Sequence, residues 1–495
     1  MSNAEEKADG NVTSGRRLYD ATKRIQSARL YGDVATYQYY YIDILVGTPM
    51  PQRVSVIADT GSTICAFTCS GCQSCGQHLD ANFDFSLSNS AEWTPCSKSC
   101  HSCRQKRCAY HQSYTEGSSI EGFQFTDFIS LGDEFQQNPM VKVHMGCHTK
   151  ETRLFVTQKA NGILGLAPSE RSTVLQEIFQ DHEHVNGNIF SMCLSPQGGL
   201  LTVGYDSSTA VAWTPMRPQR FYSVSLKKMS LEGSSDSLTG FGHTFVDSGT
   251  TFTYLPDGLF RQLRDLVQGH CQTRCGQLTG STCWQIPGES LENFPKIVFS
   301  FSKDITVHWA PTSYLFRKTG HLFCLGFQSN GAVAETVLGA TFMINQLVVF
   351  DLQSSRLGLA SRACPSFAER PRAPQKLRAG NAGPTGRSPA DADRSLLVVL
   401  SLLLILLGLC LVARNLLRAY SLRRRETAVP NGNASPRRVR ARKLGRADHE
   451  EMQALADPAA SPRRSEEVSR VPVDAWLSAG SDASPTAGSG ELGSG

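Results

Sequence analysis

The strongest constraint on this chain is a motif that occurs twice. Val56-Ile57-Ala58-Asp59-Thr60-Gly61-Ser62 and Thr244-Phe245-Val246-Asp247-Ser248-Gly249-Thr250 each lead an apolar run into Asp, a hydroxyl residue, Gly and a second hydroxyl residue. An apolar run that ends in a tight glycine turn is a strand holding a carboxylate at its tip, among N–H and O–H donors. One copy alone is an ordinary turn. Here each copy is followed, well downstream, by an apolar segment closed with glycine: Ala160-Asn161-Gly162-Ile163-Leu164-Gly165-Leu166 and Thr336-Val337-Leu338-Gly339-Ala340. That is an internal repeat, and it predicts two similar β-rich halves that each contribute one carboxylate to a shared site.

Two facing carboxylates cannot both ionise, so they share a proton and divide the work. The ionised partner takes a proton from a water held between them, and the protonated partner donates to a carbonyl oxygen. Asp59 and Asp247 are the candidate catalytic pair, with Thr60, Gly61, Ser62, Ser248, Gly249 and Thr250 as their support. The titration belongs to the pair, not to either residue.

The rest of the chain sets the context. A net charge of +5 is small for 495 residues, and the basic residues gather near the C-terminus, which gives the body no nucleic-acid footprint. All of the 16 cysteines except Cys410 precede Pro365, a usage that suits an oxidising lumen and disulfides. Eight of them, from Cys65 to Cys108, crowd into one region. Its CxxC pairs are compatible with a zinc ribbon, but irregular spacing and the lack of a matching His pair favour a disulfide-stapled insertion, with no metal or other cofactor expected. HExxH is absent, so a zinc hydrolase has no other support.

Residues 1–36 read as a flexible N-terminal segment, with a possible amphipathic piece around Tyr19 to Leu30 and a glycosylation sequon at Asn11. Residues 37–213 read as the first lobe, carrying the cysteine insert and a hairpin around Tyr114, and residues 214–365 as the second. Within the second, Asp257 to Val267 has the spacing of an amphipathic helix. Residues 366–394 are Pro- and Arg-rich, the composition of a disordered stalk. Residues 395–413 are uncharged and long enough to cross a bilayer, and Arg414, Arg418 and Arg423 to Arg425 then place residues 414–495 in the cytoplasm as a disordered tail. Met1 to Lys7 shows no apolar leader, so a truncated N-terminus is expected.

Together, the two Asp-[Thr/Ser]-Gly motifs, the two apolar-Gly elements and the Tyr114 hairpin resemble the pepsin-like aspartic proteases over residues 37–365. The resemblance implies an all-β, bilobal aspartic protease fold, extended here by the C-terminal transmembrane helix, and an aspartic endopeptidase acting on polypeptides. By the same resemblance Thr60 and Ser248 cross-link the lobes, Ser62 and Thr250 bond the outer carboxylate oxygens, and Tyr114 sits on a flap over the substrate.

Within the family the likeness is to the plasmepsin V group, membrane-anchored proteases that process exported proteins. Cys69-Ser-Gly-Cys72-Gln-Ser-Cys75-Gly-Gln-His78 looks like its nepenthesin-type insert, and Gln112-Ser-Tyr114-Thr-Glu116-Gly-Ser like its flap. Met145-Gly-Cys147-His148, Val349-Phe-Asp-Leu-Gln353 and Cys364-Pro-Ser add to the match. Thr115 stands where that flap has a cysteine, Cys65 is an additional cysteine, Ala66 stands where pepsin has tryptophan, and the segment between the lobes is short. The group implies cleavage at an Arg-x-Leu type motif, with Glu116 and Asp80 taking the arginine. A single-pass, monomeric protease of the endoplasmic reticulum or Golgi membrane is expected, its body luminal. The alternatives are a β-secretase-like protease of other specificity and a non-catalytic binding protein on the same fold.

Overall fold

The computed structural model describes residue 20 and residues 22–114 and 116–372. The apolar run at 395–413 and the stretches read as a stalk beyond 372 and as a cytoplasmic tail lie outside the described residues, and among the described residues no helix is long and apolar enough to cross a membrane. The architecture is mostly β.

The internal repeat appears as two equivalent crossings of the chain. In the first, the strand Gln52–Asp59 pairs in parallel with Gly162–Gly165, so that Asp59 lies opposite Gly165. In the second, His243–Val246 pairs in parallel with Glu335–Leu338, Val246 lying opposite Leu338. Strands covered on both faces become continuous apolar runs, and both runs into the aspartates are buried throughout their inner portion.

An antiparallel floor joins the halves. Gln26–Asp33 pairs with Tyr39–Val46 on one side and with Gly199–Val203 on the other. The order then continues through Ile189–Leu194, Gln346–Asp351 and Arg356–Ser361 to Ala212–Pro218. The stretch read as a flexible N-terminal segment therefore contains a central strand of the floor. Its charged flanks mimic a mobile end, but Gln26, Ala28 and Leu30 are buried between two neighbours. Of the possible amphipathic piece around Tyr19 to Leu30, the described part from Gln26 onward is a strand with residues buried on both faces.

The second half carries the expected helix, which runs Asp257–Cys271 and turns Leu259, Leu263, Val267 and Cys271 inward. Seven disulfides brace the described residues: Cys69–Cys147, Cys72–Cys75, Cys96–Cys103, Cys100–Cys108, Cys193–Cys364, Cys271–Cys275 and Cys283–Cys324. The thiols that a zinc ribbon would need are thus taken up in disulfides, and Cys65 remains as a buried free thiol.

The sequence reading starts a disordered stalk at residue 366, but residues 366–372 are packed on the first half. Ser366 and Phe367 bond the Gln197 carbonyl, the Phe367 ring lies under the Arg29 guanidinium, and Arg370 pairs with Asp43 and Asp80.

Candidate active site

Asp59 and Asp247 end their strands side by side, 4% and 1% exposed. Each Gly turn holds its own aspartate by an equivalent bond. Gly61 N–H donates to Asp59 Oδ1 at 2.8 Å, and Gly249 N–H to Asp247 Oδ1 at 2.9 Å. A Cβ on Gly61 would stand 2.6 Å from Asp247 Oδ1, and one on Gly249 would collide with Asp59. Each glycine is therefore required by the carboxylate of the opposite half, because only a residue without a side chain lets the two turns approach this closely.

Beneath the pair the halves are laced together. Ser248 Oγ accepts from Thr60 N–H at 3.0 Å and donates to the Ala58 carbonyl at 2.7 Å. Thr60 Oγ1 accepts from Ser248 N–H at 2.9 Å and donates to the Val246 carbonyl at 3.2 Å. The outer hydroxyls differ. Thr250 donates to Asp247 Oδ2 at 2.7 Å. Ser62 lies near enough to Asp59 to favour its ionised form, but its buried oxygen makes no hydrogen bond of ordinary geometry among the described residues.

Burial raises both carboxyls above the usual range. For Asp59 this is opposed by Ser62, the Gly61 and Gly249 N–H groups and Asp247 itself. For Asp247 the negative charge of Asp59 adds to burial, and it is held well above the usual range. The pair thus keeps one proton between its two carboxyls, and that titration belongs to both. The ionised partner is the base toward water and the protonated partner the acid toward a carbonyl.

The hairpin Arg107–Ser113 and Ser119–Leu131 rises beside the pair. Its turn is closed by Gly117 N–H to the Tyr114 carbonyl and Tyr114 N–H to the Ser118 carbonyl, both 2.9 Å. Tyr114 is buried with its ring 5.0 Å from that of Phe155. Burial, then the charges of Asp59 and Glu116, push its hydroxyl well above the ordinary phenol value, so Tyr114 is a neutral hydroxyl close to the catalytic pair. Glu116 is on the turn, half-buried, with Ser118 donating to its carboxylate and Arg153 donating to its carbonyl.

Asp80 is elsewhere, at the end of the cysteine insert. Its N–H donates to Asn161 and its carboxylate is paired with Arg370 at 2.6 Å and Arg53 at 3.6 Å.

Profile comparison adds the deciding observation: residues 39–362 match the model of the eukaryotic aspartyl protease family. The chain belongs to that family. As a pepsin-like aspartic protease it is similar to Aspartic protease 5 of Toxoplasma gondii, with 36% identity over 435 residues covering 74% of this chain. That match spans 40% of the Toxoplasma protein's length. It is also similar to plasmepsin V of Plasmodium falciparum, with 27% identity over 456 residues, 71% of this chain and 76% of the relative. Aspartic proteinase 36 of Arabidopsis thaliana is 29% identical over 364 residues, 66% of this chain and 74% of the relative. The likeness to plasmepsin V read from the insert and flap is thereby supported at the level of the whole body.

The protease also contains groups that sequence reading missed. Tyr110, on the ascending flap strand, packs beside Ala66 against Gly146. Behind it Glu151 is fixed between two buried histidines, His148 Nδ1 at 2.9 Å and His78 Nε2 at 3.2 Å. This network ties the insert to the strand Val141–Glu151 next to the flap. His78 and His148 lie in stretches that carry the resemblance and Glu151 does not, and nothing local marks the three as partners.

Proposed function

We propose that this aspartyl protease is a membrane-anchored endopeptidase of the secretory pathway that cleaves secretory or exported polypeptides at an Arg-x-Leu type motif. The single observation that carries the peptidase reading is the reciprocal placement of Asp59 and Asp247, each turn's glycine accommodating the other half's carboxylate. Water held by the pair loses its proton to the ionised carboxylate and attacks the scissile carbonyl. The protonated carboxyl donates to that oxygen, and the roles reverse as the tetrahedral intermediate collapses. Tyr114 closes over the substrate.

The specificity is supported by the resemblance to plasmepsin V and by Glu116 on the flap turn; Asp80 lies away from the flap, at the end of the cysteine insert, engaged by Arg370 and Arg53. The anchor is supported by the uncharged run at 395–413 with arginines behind it, which orients the body to the lumen of the endoplasmic reticulum or Golgi. Seven disulfides support a lumen that is oxidising.

Kinetics on a matched peptide series test the specificity. Replacing the substrate arginine by lysine should lower kcat/KM by more than about tenfold, because lysine cannot reproduce a bidentate fork, and Glu116→Ala should remove most of that preference. Equal cleavage of the arginine, lysine and alanine peptides by the wild type would leave a protease of other specificity, the β-secretase-like alternative.

A further inference from the structure

His78, Glu151 and His148 have fully buried side chains, and their bonds fix where hydrogens lie. A carbonyl oxygen only accepts, so His78 Nδ1, 3.2 Å from the Gln158 carbonyl, carries a hydrogen. A second proton is then required between His78 Nε2 and Glu151 Oε2 at 3.2 Å, since two lone pairs would otherwise face each other. The same oxygen accepts from the Gly76 N–H at 3.3 Å, and Glu151 Oε1 shares a hydrogen with His148 Nδ1 at 2.9 Å. Burial pushes the Glu151 carboxyl up, but the bonds from His148 and His78 outweigh it and hold it below its usual value. For stability alone, apolar side chains of similar volume would serve as well as a buried ionic network. What the network adds is direction, because its members are held by oriented bonds.

The trio reaches the flap through its neighbours. His148 and Glu151 lie opposite Gly122 and Ile120 of the second flap strand, and Gly122 lies opposite Tyr110 of the first. A Cβ on Gly122 would stand 2.8 Å from the Tyr110 hydroxyl, so that ring leans over the glycine, its centroid 6.3 Å from that of His148. From the insert, Gly76 presses on the helical turn Leu154–Thr157, where a Cβ would collide with the Val156 carbonyl, and His78 bonds Gln158 at the end of that turn. The turn carries Phe155, which is fully buried. Its ring has His148 edge-on at 6.2 Å and flap Tyr114 at 5.0 Å.

We propose that His78, Glu151 and His148 are positioning residues for the flap: by clamping the end of the cysteine insert onto the Leu154–Thr157 turn they fix Phe155, and Phe155 sets where Tyr114 stands beside the catalytic pair. None of the three acts on the substrate directly. The inference rests on the peptidase activity and is independent of the Arg-x-Leu motif. The Cys69–Cys147 disulfide fastens the insert to the same strand one residue before His148. Loss of the trio therefore leaves the insert attached and frees only its end at Gly76 to His78. A shift of about 1 Å passed on to Tyr114 is enough to cost up to roughly 10²-fold in turnover, since orientation in the cleft is what the flap supplies.

Two measurements on the full chain test this. In the first, kcat and KM for a quenched fluorescent peptide that the wild type cleaves are compared in His78→Leu, Phe155→Leu and the double variant, each normalised to folded protein by near-UV circular dichroism. Each single change should lower kcat/KM per folded molecule by at least about tenfold, and the double variant should be within about twofold of the worse single one, because both act on one route. His78→Gln, which keeps one donor, should recover part of the loss. If His78→Leu lowers only the folded fraction and leaves kcat/KM per folded molecule unchanged, the trio is structural and the proposal is overturned. Losses that multiply in the double variant overturn the route through Phe155. In the second, hydrogen exchange is followed in His78→Gln, which decides the question should His78→Leu not fold. The Tyr114 and Gly117 amides, which close the flap turn, should exchange faster while the floor strand Gln346–Asp351 stays protected. Flap exchange that is unchanged, or that rises equally throughout the body, overturns the proposal.

Discussion

Ser248 Oγ serves two backbone groups of the opposite half, accepting from Thr60 N–H and donating to the Ala58 carbonyl. Ser248→Ala should therefore strand both in a buried place and cost about 1–3 kcal/mol, read as a lower Tm, while slackening the catalytic pair. Asp59→Asn and Asp247→Asn are a different kind of change: near-isosteric, they should leave Tm close to wild type and lower kcat by at least about 10³, since neither neighbour can take over the missing base or acid. Residual turnover above that level in either variant would remove the paired-carboxylate mechanism. Glu151→Gln should cost roughly 2–4 kcal/mol, because the carboxylate that serves both His78 and His148 in a buried place is lost. At this scale the candidate pair that the structure brings side by side was legible, since the Asp-Thr-Gly and Asp-Ser-Gly turns are local and carry their own support. The second-row groups were not. Tyr110 and Glu151 act through partners that the fold brings together, and a single tyrosine or glutamate in a strand has no signature of that.

Among the elements, the cysteine insert and the packed segment at 366–372 matter most. Fifteen cysteines precede Pro365, so one of them has no partner among the others, and the structure places the free thiol at Cys65, buried opposite Leu164, where burial pushes the thiol's pKa up and makes it unreactive. Alkylation after denaturation without reduction should label Cys65 and none of the disulfide-bonded cysteines, whereas native protein should leave it untouched. The 366–372 segment brings a pH dependence through Asp43. Burial holds its carboxyl at about 6 even with Arg370 and Arg53 against it and Asp80 adding repulsion. A carboxyl raised in the folded state contributes stability that is complete below its unfolded value near 4 and is lost as pH rises through about 6. Between pH 4 and 7 the wild type should therefore lose roughly 3 kcal/mol that Asp43→Asn does not, measured as the difference in their stability curves. The helix at Asp257–Cys271 was legible because its apolar spacing is local. The strand Gln26–Asp33 was not, because its burial comes from neighbours on both sides, and a short run buried all round lacks a period. Nor was the packed segment: Arg370 and Asp43 stand 327 positions apart, beyond any pattern in composition.

For the molecule as a whole, the internal repeat is what made the fold class readable. Two copies of a strand and its apolar-Gly partner demand two equivalent crossings, and the structure has them in parallel pairing on both sides. Composition, by contrast, marked residues from 366 onward as a stalk, because proline and arginine content records solubility and not whether a particular buried acid awaits one of those arginines.

The Cys193–Cys364 bridge has a mechanical consequence. It ties the end of the body to the strand Ile189–Leu194 in the middle of the interlobe floor. Tension transmitted from the chain beyond residue 372 would meet two fastenings in series. The Arg370 contacts, held by hydrogen bonds, yield first; the covalent bridge then carries the load into the central strand and spares the closing strand Arg356–Ser361 from being peeled away. The catalytic halves would keep their register under a pull that breaks the Arg370 contacts with Asp43 and Asp80.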